Sequence, residues 1–542
     1  MKRRRLHAAV AGLLLAGLTA VPAQSLSLPS VDVHVTIGDD CPAAPDPAAL
    51  ASADALRDMN QFVADLGIRR TGSPTHQQYV DWIEQQLAAI PGVQITEQPF
   101  TIDRWTPQSM ALQLTSASGT TALPVAAAVD NALPTGPDGV TAPFAAVPDG
   151  VAITAANAAG KIVVRHAPAG TVQQALFYLP IVSWAIYDPH LTIDPLANFK
   201  GDFINYLARV ADLQAAAAAG AAGVVFVKDL PTAQLKDHEE PYEGTHWGVP
   251  ALWLGADEGK QINDAIAAGE NPVGRLSLQA VVEPTVTKSV YATINGLSPQ
   301  RIVIDSHTDG SNAVEDNGPV AMLAMARYFA ALPLSCRPRT IEFAFATAHF
   351  YQRVADPNVR NGGAEQLAEQ LDRDYDRGTV SAVVSLEHLG ALEYQEVPRA
   401  DGGAGVQLAQ TGRRELQEIF ITPSPALVAA VLKQVVKYDL DRTLLLQGAD
   451  APGATAPQHC DFGGEGTPYN KHLLPTIGEI AAPQTLYDPA FGMEGIDFRV
   501  MHDEVLAFTG LVLDMGRMSQ LAIDGTVPLS RALRAAGLPS CP

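Results

Sequence analysis

Cysteine is scarce in this sequence, with four in 542 residues, at positions 41, 336, 460 and 541. None lies in a C-x-x-C pair, which argues against a zinc–thiolate site. Basic residues are also few, 36 Lys and Arg against 58 Asp and Glu, giving a formal net charge of -22. A chain this acidic is expected to avoid nucleic acid and anionic lipid surfaces, and its charge mainly favours solubility. Beyond the N-terminus no apolar run approaches the ~18 residues that a membrane-spanning helix needs. Repeats at solenoid periods are missing too. What is present is 47 % hydrophobic and 17 % charged residues, the composition of a globular chain long enough for two or more domains.

The first residues read as a secretory signal. Lys2–Arg5 form a basic region, Ala8–Val21 an apolar one, and Val21-Pro22-Ala23 a cleavage site before Gln24. No Cys follows the apolar run, so a lipoprotein anchor is not indicated. The mature protein is expected to be secreted, without stable membrane insertion after signal cleavage. In that oxidising compartment an even number of cysteines predicts two disulfides, with three connectivities open. Residues 24–47 are Pro-, Ser- and Asp-rich and read as an N-terminal arm. Residues 48–108 carry helical patterns (Leu56, Met59, Phe62, Val63, Leu66; then Tyr79, Trp82, Ile83, Leu87) and end in a strand near 92–100. Residues 109–290 change texture to Ala, Gly, Pro and short strands and are expected to form a separate inserted lobe. The segment 178–198 has no clear period. Strand–helix alternation returns over 291–530, and 531–542 form a tail.

The stretch Ile302–Phe350 organises the rest. A β-branched run, Ile302–Ile304, ends in Ser306-His307-Thr308-Asp309. A polar loop follows, then Glu315-Asp316-Asn317-Gly318, a helix with apolar face Ala321, Ala324, Met325, Tyr328 and Leu332, and a second buried strand, Ile341–Ala346. Strand–loop–helix–strand units place such a loop at the carboxyl edge of a sheet, where open α/β folds bind ligands. His307 and Asp316 are therefore expected at the rim of a cleft. A further strand, 380–386, ends in Glu387-His388-Leu389-Gly390, and a Gly-rich loop, 461–470, carries Glu465.

Taken in order, RRTGSPTHQQYVDWIEQQL, HTD, EDNG, the strand before Ala348-His349-Phe350, SLEHLG and LLPTIG resemble the co-catalytic zinc exopeptidases of metallopeptidase family twenty-eight. GKIVV, AAAAGAAGVVFV and GVPALWLG resemble that family's inserted protease-associated domain. The resemblance implies an α/β fold, a central mixed β-sheet flanked by helices, with a mainly β lobe inserted at 109–290 that overhangs the cleft. It also implies zinc chemistry: His307, Asp316 and Glu387 as metal ligands, Asp316 bridging two ions, and Asp309 orienting His307 from behind. The chain departs from the family where Glu-Glu is replaced by His349-Phe350, and where the last His ligand falls at Gly466. One zinc is therefore expected rather than two, with His349 or Glu465 as replacement base or ligand.

Each residue also has a plainer reading. His307 with Asp309 reads as a satisfied strand-end pair, Asp316 as a helix cap, Glu387-His388 as a polar strand end and Glu465 as a solvated loop carboxylate. His459, His472 and His502 read as structural or exposed. Three functions follow. The first is a secreted exopeptidase acting on N-terminal residues of peptides or small amides. The second is a metal-free pseudoenzyme that binds peptides or a partner. The third is an amidohydrolase or cyclase on the same scaffold.

Overall fold

The structure is a computed structural model that describes residues 40–240, 247–351, 363–448, 457, 460 and 462–541. The expected signal peptide, most of the arm, and His459 lie outside these residues. No helix among the described residues is long and apolar enough to cross a membrane.

A mixed sheet forms the centre. Ser298–His307 runs parallel to Arg339–Ala346 on one side and to Val380–Leu386 on the other, which in turn pairs with Thr476–Ala481. Gln417–Ile421 joins antiparallel to Thr476–Ala481, and Thr443–Gln447 extends the sheet. The inner strands are apolar on both faces because helices cover both. Ile302 and Ile304 pack into the large cluster built with helices Ala53–Asp65, Pro74–Ala88, Gly318–Ala331 and Phe498–Arg517. Val303, on the opposite face, packs with Ala344, Val383 and Leu367 of helix Gly363–Asp376.

Local chemistry sets the helix ends. Ser52 and Ser73 accept the N–H of Ala55 and His76, and Pro74 occupies the first helical position, where its missing donor costs nothing. Gly318–Ala331 is buried almost all round, as a helix with apolar residues on every side must be. The last long helix, Phe498–Arg517, ends at Met518, and Ser519 caps a separate short helix, Gln520–Asp524. The Ala-rich helix of the 109–290 stretch is Tyr206–Ala218.

The stretch 109–290 is tied to the core by two long strands, Gln94–Ser116 and Val273–Ile294, which pair antiparallel over almost their whole length. The expected boundaries at 108/109 and 290/291 therefore both fall inside a strand. Beyond this ribbon, four strands (Val140–Ala146, Ile162–His166, Gly223–Val227, Ala251–Leu254) lie parallel around a second hydrophobic cluster. Helices Tyr206–Ala218 and Ala256–Ala267 accompany them. The segment that had no period forms an arm. Its strand Ser183–Tyr187 pairs with Thr443–Gln447 at the far edge of the central sheet, and Phe177 and Phe199 bury against Leu444, Leu446 and Phe420.

Two disulfides are formed. Cys41–Cys336 joins the arm to the turn after Gly318–Ala331, and Cys460–Cys541 joins the C-terminus to the loop before Glu465.

Candidate metal centre

Three parallel strands end at one place, and each delivers a polar side chain there. His307 is the last residue of Ser298–His307. Glu387 and His388 follow Val380–Leu386 directly, and His349 lies three residues beyond Arg339–Ala346. His388 has φ +59°, a conformation uncommon for a residue with a side chain and enriched at functional sites. Glu315 comes from the turn ahead of helix Gly318–Ala331.

Their atoms converge. His307 Nε2 lies 3.5 Å from Glu387 Oε2, and His388 Nε2 lies 3.2 Å from Glu315 Oε2 and 4.0 Å from Glu387 Oε2. On the far side of each ring Nδ1 donates to a backbone carbonyl, His307 to Asp309 at 2.7 Å and His388 to Ala481 at 2.5 Å. This fixes the tautomer that leaves an Nε2 lone pair facing inward. All four residues are buried, and those four inward atoms have no hydrogen-bond partner. Buried polar atoms without partners are rare and call for an ion or water. Around a tetrahedral zinc with ligands at about 2.0–2.1 Å, donor atoms stand about 3.3 Å apart. Two overlapping ligand groups, His307–Glu315–His388 and His307–His349–Glu387, each keep their atoms within 4.8 Å of one another. The chemistry of the donor set, imidazole nitrogens with carboxylates, fits zinc.

The electrostatics favour positive charge at this point. Burial works to raise the Glu387 carboxyl, but His307, His349 and His388 outweigh it and hold it at about 2. Burial works to lower His307 and His388, yet the facing carboxylates raise both. His349 is different. Burial and the neighbouring His307 push it down to about 4. Its ring stacks on His307 with centroids 4.3 Å apart, and its Nδ1 lies 2.8 Å from Glu465 Oε1. Glu465 is pushed up to about 8, chiefly by burial. It stands immediately before the short helix Gly466–Lys471, after a Gly-Gly turn, without a side-chain capping bond. Gly464 has φ +43°, and a Cβ there would stand 2.2 Å from Glu387 Oε1, so only glycine lets this loop close over the carboxylate. The Glu465 N–H then donates to Glu387 Oε1 at 2.6 Å.

Of the residues expected from sequence, His307, Glu387, His349 and Glu465 are brought together. Asp316 is not. Its carboxylate is clasped by Arg69, Nε to Oδ2 at 2.6 Å and Nη2 to Oδ1 at 2.5 Å, both side chains fully buried. Its neighbour Glu315 faces the centre instead. Asp309 does not orient His307 through its carboxylate either. The ring is held by the Asp309 backbone carbonyl, while the carboxylate accepts the Thr71 hydroxyl and the N–H groups of His349 and Phe350. Phe350 is buried against Leu486 and Tyr487. Gly466 packs on Phe462 and Gly478 and offers no ligand. Glu315 and His388 are the candidate ligands that sequence reasoning passed over. The adjacency of each to a chosen residue was the available signal.

The centre opens into a cleft of about 400 Å³, lined by His349, Glu387, His388 and Glu465 at one end and by Phe203, Tyr206 and Phe420 elsewhere.

No protein-family model matches the chain, and no curated protein matches it in sequence. Solved structures do. A zinc aminopeptidase from Bacillus subtilis shares 16 % identity, with 85 % of this chain and 95 % of that one covered, at a TM-score of 0.57. A Peptidase M28 precursor from Shewanella amazonensis SB2B shares 15 % identity over 86 % of this chain and 98 % of its own, also at 0.57. An aminopeptidase from Aneurinibacillus sp. strain AM-1 shares 16 % identity over 86 % and 95 %, at 0.52. At these identities the likeness is one of fold: the chain has a zinc-exopeptidase-like architecture.

Proposed function

We propose that the protein is a single-zinc hydrolase that removes N-terminal residues from short peptides or related small amides. The observation that carries this reading is the convergence of four buried, partnerless ligand atoms, from His307, Glu315, Glu387 and His388, at the end of a cleft. A zinc ion held there would supply Lewis acidity toward a scissile carbonyl and its attacking water. The chain's own residues supply the proton handling. Hydrolysis needs a group that takes a proton from water and returns it to the leaving nitrogen. His349 Nδ1 and Glu465 Oε1, 2.8 Å apart in the cleft, share one proton between a depressed imidazole and an elevated carboxyl. The raised Glu465 carboxyl can give its proton up near neutral pH, while the depressed His349 imidazole stays unprotonated there and is the acceptor. The volume suits a few residues, at the lower end of small-molecule sites (about 300–1,000 Å³), and not a folded protein.

The test is elemental analysis of purified protein after zinc loading and dialysis, together with hydrolysis of aminoacyl amides before and after chelation. About one zinc per chain, with activity that falls on chelation and returns on zinc addition, is the expected result. Two zinc ions would mean that a second ligand set has been overlooked. No bound zinc would overturn the hydrolase reading in favour of a binding module. Zinc without aminoacyl-amide hydrolysis would move the substrate to another amide.

A further inference from the structure

Part of the cleft wall does not come from the strands that carry the ligands. It comes from the arm of the inserted stretch. Three phenylalanines step along that arm. Phe177 and Phe199 meet edge-on with centroids 6.2 Å apart, and Phe199 and Phe203 follow at 6.1 Å. The first two are buried against the central sheet. The third is not: Phe203 is 36 % exposed, and it lines the cleft. Gly201 allows this placement, because a Cβ there would lie 2.4 Å from the Phe203 ring. Tyr206, at the start of helix Tyr206–Ala218, lines the cleft with it, and Phe420, Ile480 and Leu486 face them from the core. A large aromatic side chain left exposed inside a concave site, continuous with a buried aromatic ladder, is surface prepared for an apolar ligand group.

The charges beside this wall point the same way. Among the described residues beyond the metal-facing ones, Glu365 and Glu418 line the cleft as carboxylates against one lysine, Lys471. An acidic substrate side chain would be placed among carboxylates, which rejects it.

We propose, resting on the hydrolase reading above, that the substrates carry a large apolar or aromatic first side chain, and that Phe203 and Tyr206 of the inserted arm determine this specificity. The arm thus reads the side chain while the central sheet holds the reacting group. Apolar pockets discriminate by about 10- to 200-fold for each well-filled or unfilled position.

The zinc-loaded full-length mature chain is assayed with amides of phenylalanine, leucine, alanine and aspartate. Phenylalanine and leucine are expected to exceed alanine at least about tenfold in kcat/KM, with aspartate poorest. Phe203→Ala and Tyr206→Ala are each expected to lower the Phe:Ala ratio about tenfold, chiefly through KM, and Phe203→Leu to restore most of it. An unchanged ratio in both alanine variants, or a preference for aspartate, overturns the proposal. Binding is measured in parallel by calorimetry with phenylalanine hydroxamate and alanine hydroxamate. If hydrolysis fails but the phenylalanine probe binds more tightly in a Phe203-dependent way, the wall assignment stands and the hydrolase reading falls. Equal affinities with no hydrolysis overturn both.

Discussion

Glu315 and Asp316 are adjacent carboxylates with opposite jobs, and substitution separates them. Asp316→Asn leaves the Arg69 guanidinium buried against a neutral amide. Breaking such a pair costs on the order of 3–5 kcal/mol, so the melting temperature is expected to fall while zinc content holds. Glu315→Gln is expected to do the reverse: zinc affinity drops about 100-fold or more, while the unfolding temperature of the metal-free protein changes little. Zinc titration and thermal unfolding on the two variants read both effects. A third substitution tests the proton handling. Glu465→Gln is expected to retain zinc and lose about 10²–10⁴-fold in kcat; loss of zinc instead would make Glu465 a ligand. These residues also mark how far the sequence could be read. His307, Glu387 and His349 lie at or just beyond the ends of buried strands, and continuous short apolar runs make such strands legible. The choice between Glu315 and Asp316 lies in a loop with no period. It is settled by Arg69, more than two hundred residues away, whose guanidinium takes one carboxylate and leaves the other. His388 faces the site only because its backbone turns to positive φ. No residue pattern announces that turn.

Among the elements, the Gly463–Glu465 loop is tightly constrained. Gly464→Ala places a methyl against Glu387 and demands a left-handed backbone that alanine adopts at a cost of about 1 kcal/mol. The expected outcome is weaker zinc binding with little change in the rest of the fold, measured by zinc titration alongside circular dichroism. The same loop follows Cys460, whose bond to Cys541 anchors it to the C-terminus across a sequence separation of 81. The inner strands and capped helices were legible because each is specified locally, by apolar runs and by Ser and Pro at helix starts. The arm was not. Ser183–Tyr187 takes its strand form from the edge it completes, Thr443–Gln447, and that partner is invisible in its own residues.

At the scale of the molecule, charge is distributed in clusters that respond to pH. His472 joins Asp372 and Glu365, and Asp372 also receives Arg531 and Arg534 from the last helix, Val527–Ala535. Burial works to lower His472, but the two carboxylates raise it to about 9. Asp372 is held well below the usual carboxylate range: burial opposes this, and His472 and the two arginines prevail. A raised histidine contributes its stability fully below its unfolded value of about 6.5 and loses it as pH rises through about 9. The depressed aspartate contributes above about 4 and loses its contribution as pH falls toward its lower folded value. The melting temperature of His472→Gln is therefore expected to lie further below wild type at pH 6 than at pH 10.

The ribbon formed by Gln94–Ser116 and Val273–Ile294 has a mechanical meaning. At about 3.4 Å per residue, a strand of 22 residues, paired along nearly all of its length, makes a beam on the order of 70 Å long. The stretch between the two strands is thus carried on a girder rather than on a pliant linker, and the edge pairing of Ser183–Tyr187 with Thr443–Gln447 ties it to the central sheet at a second point. Relative motion must flex or twist the beam and strain that second tie, and both are stiff compared with rotation about a loop. The one irregularity in the beam's pairing lies between Pro107 and Ser109, and cutting the beam at that joint would leave the second tie to hold the two together.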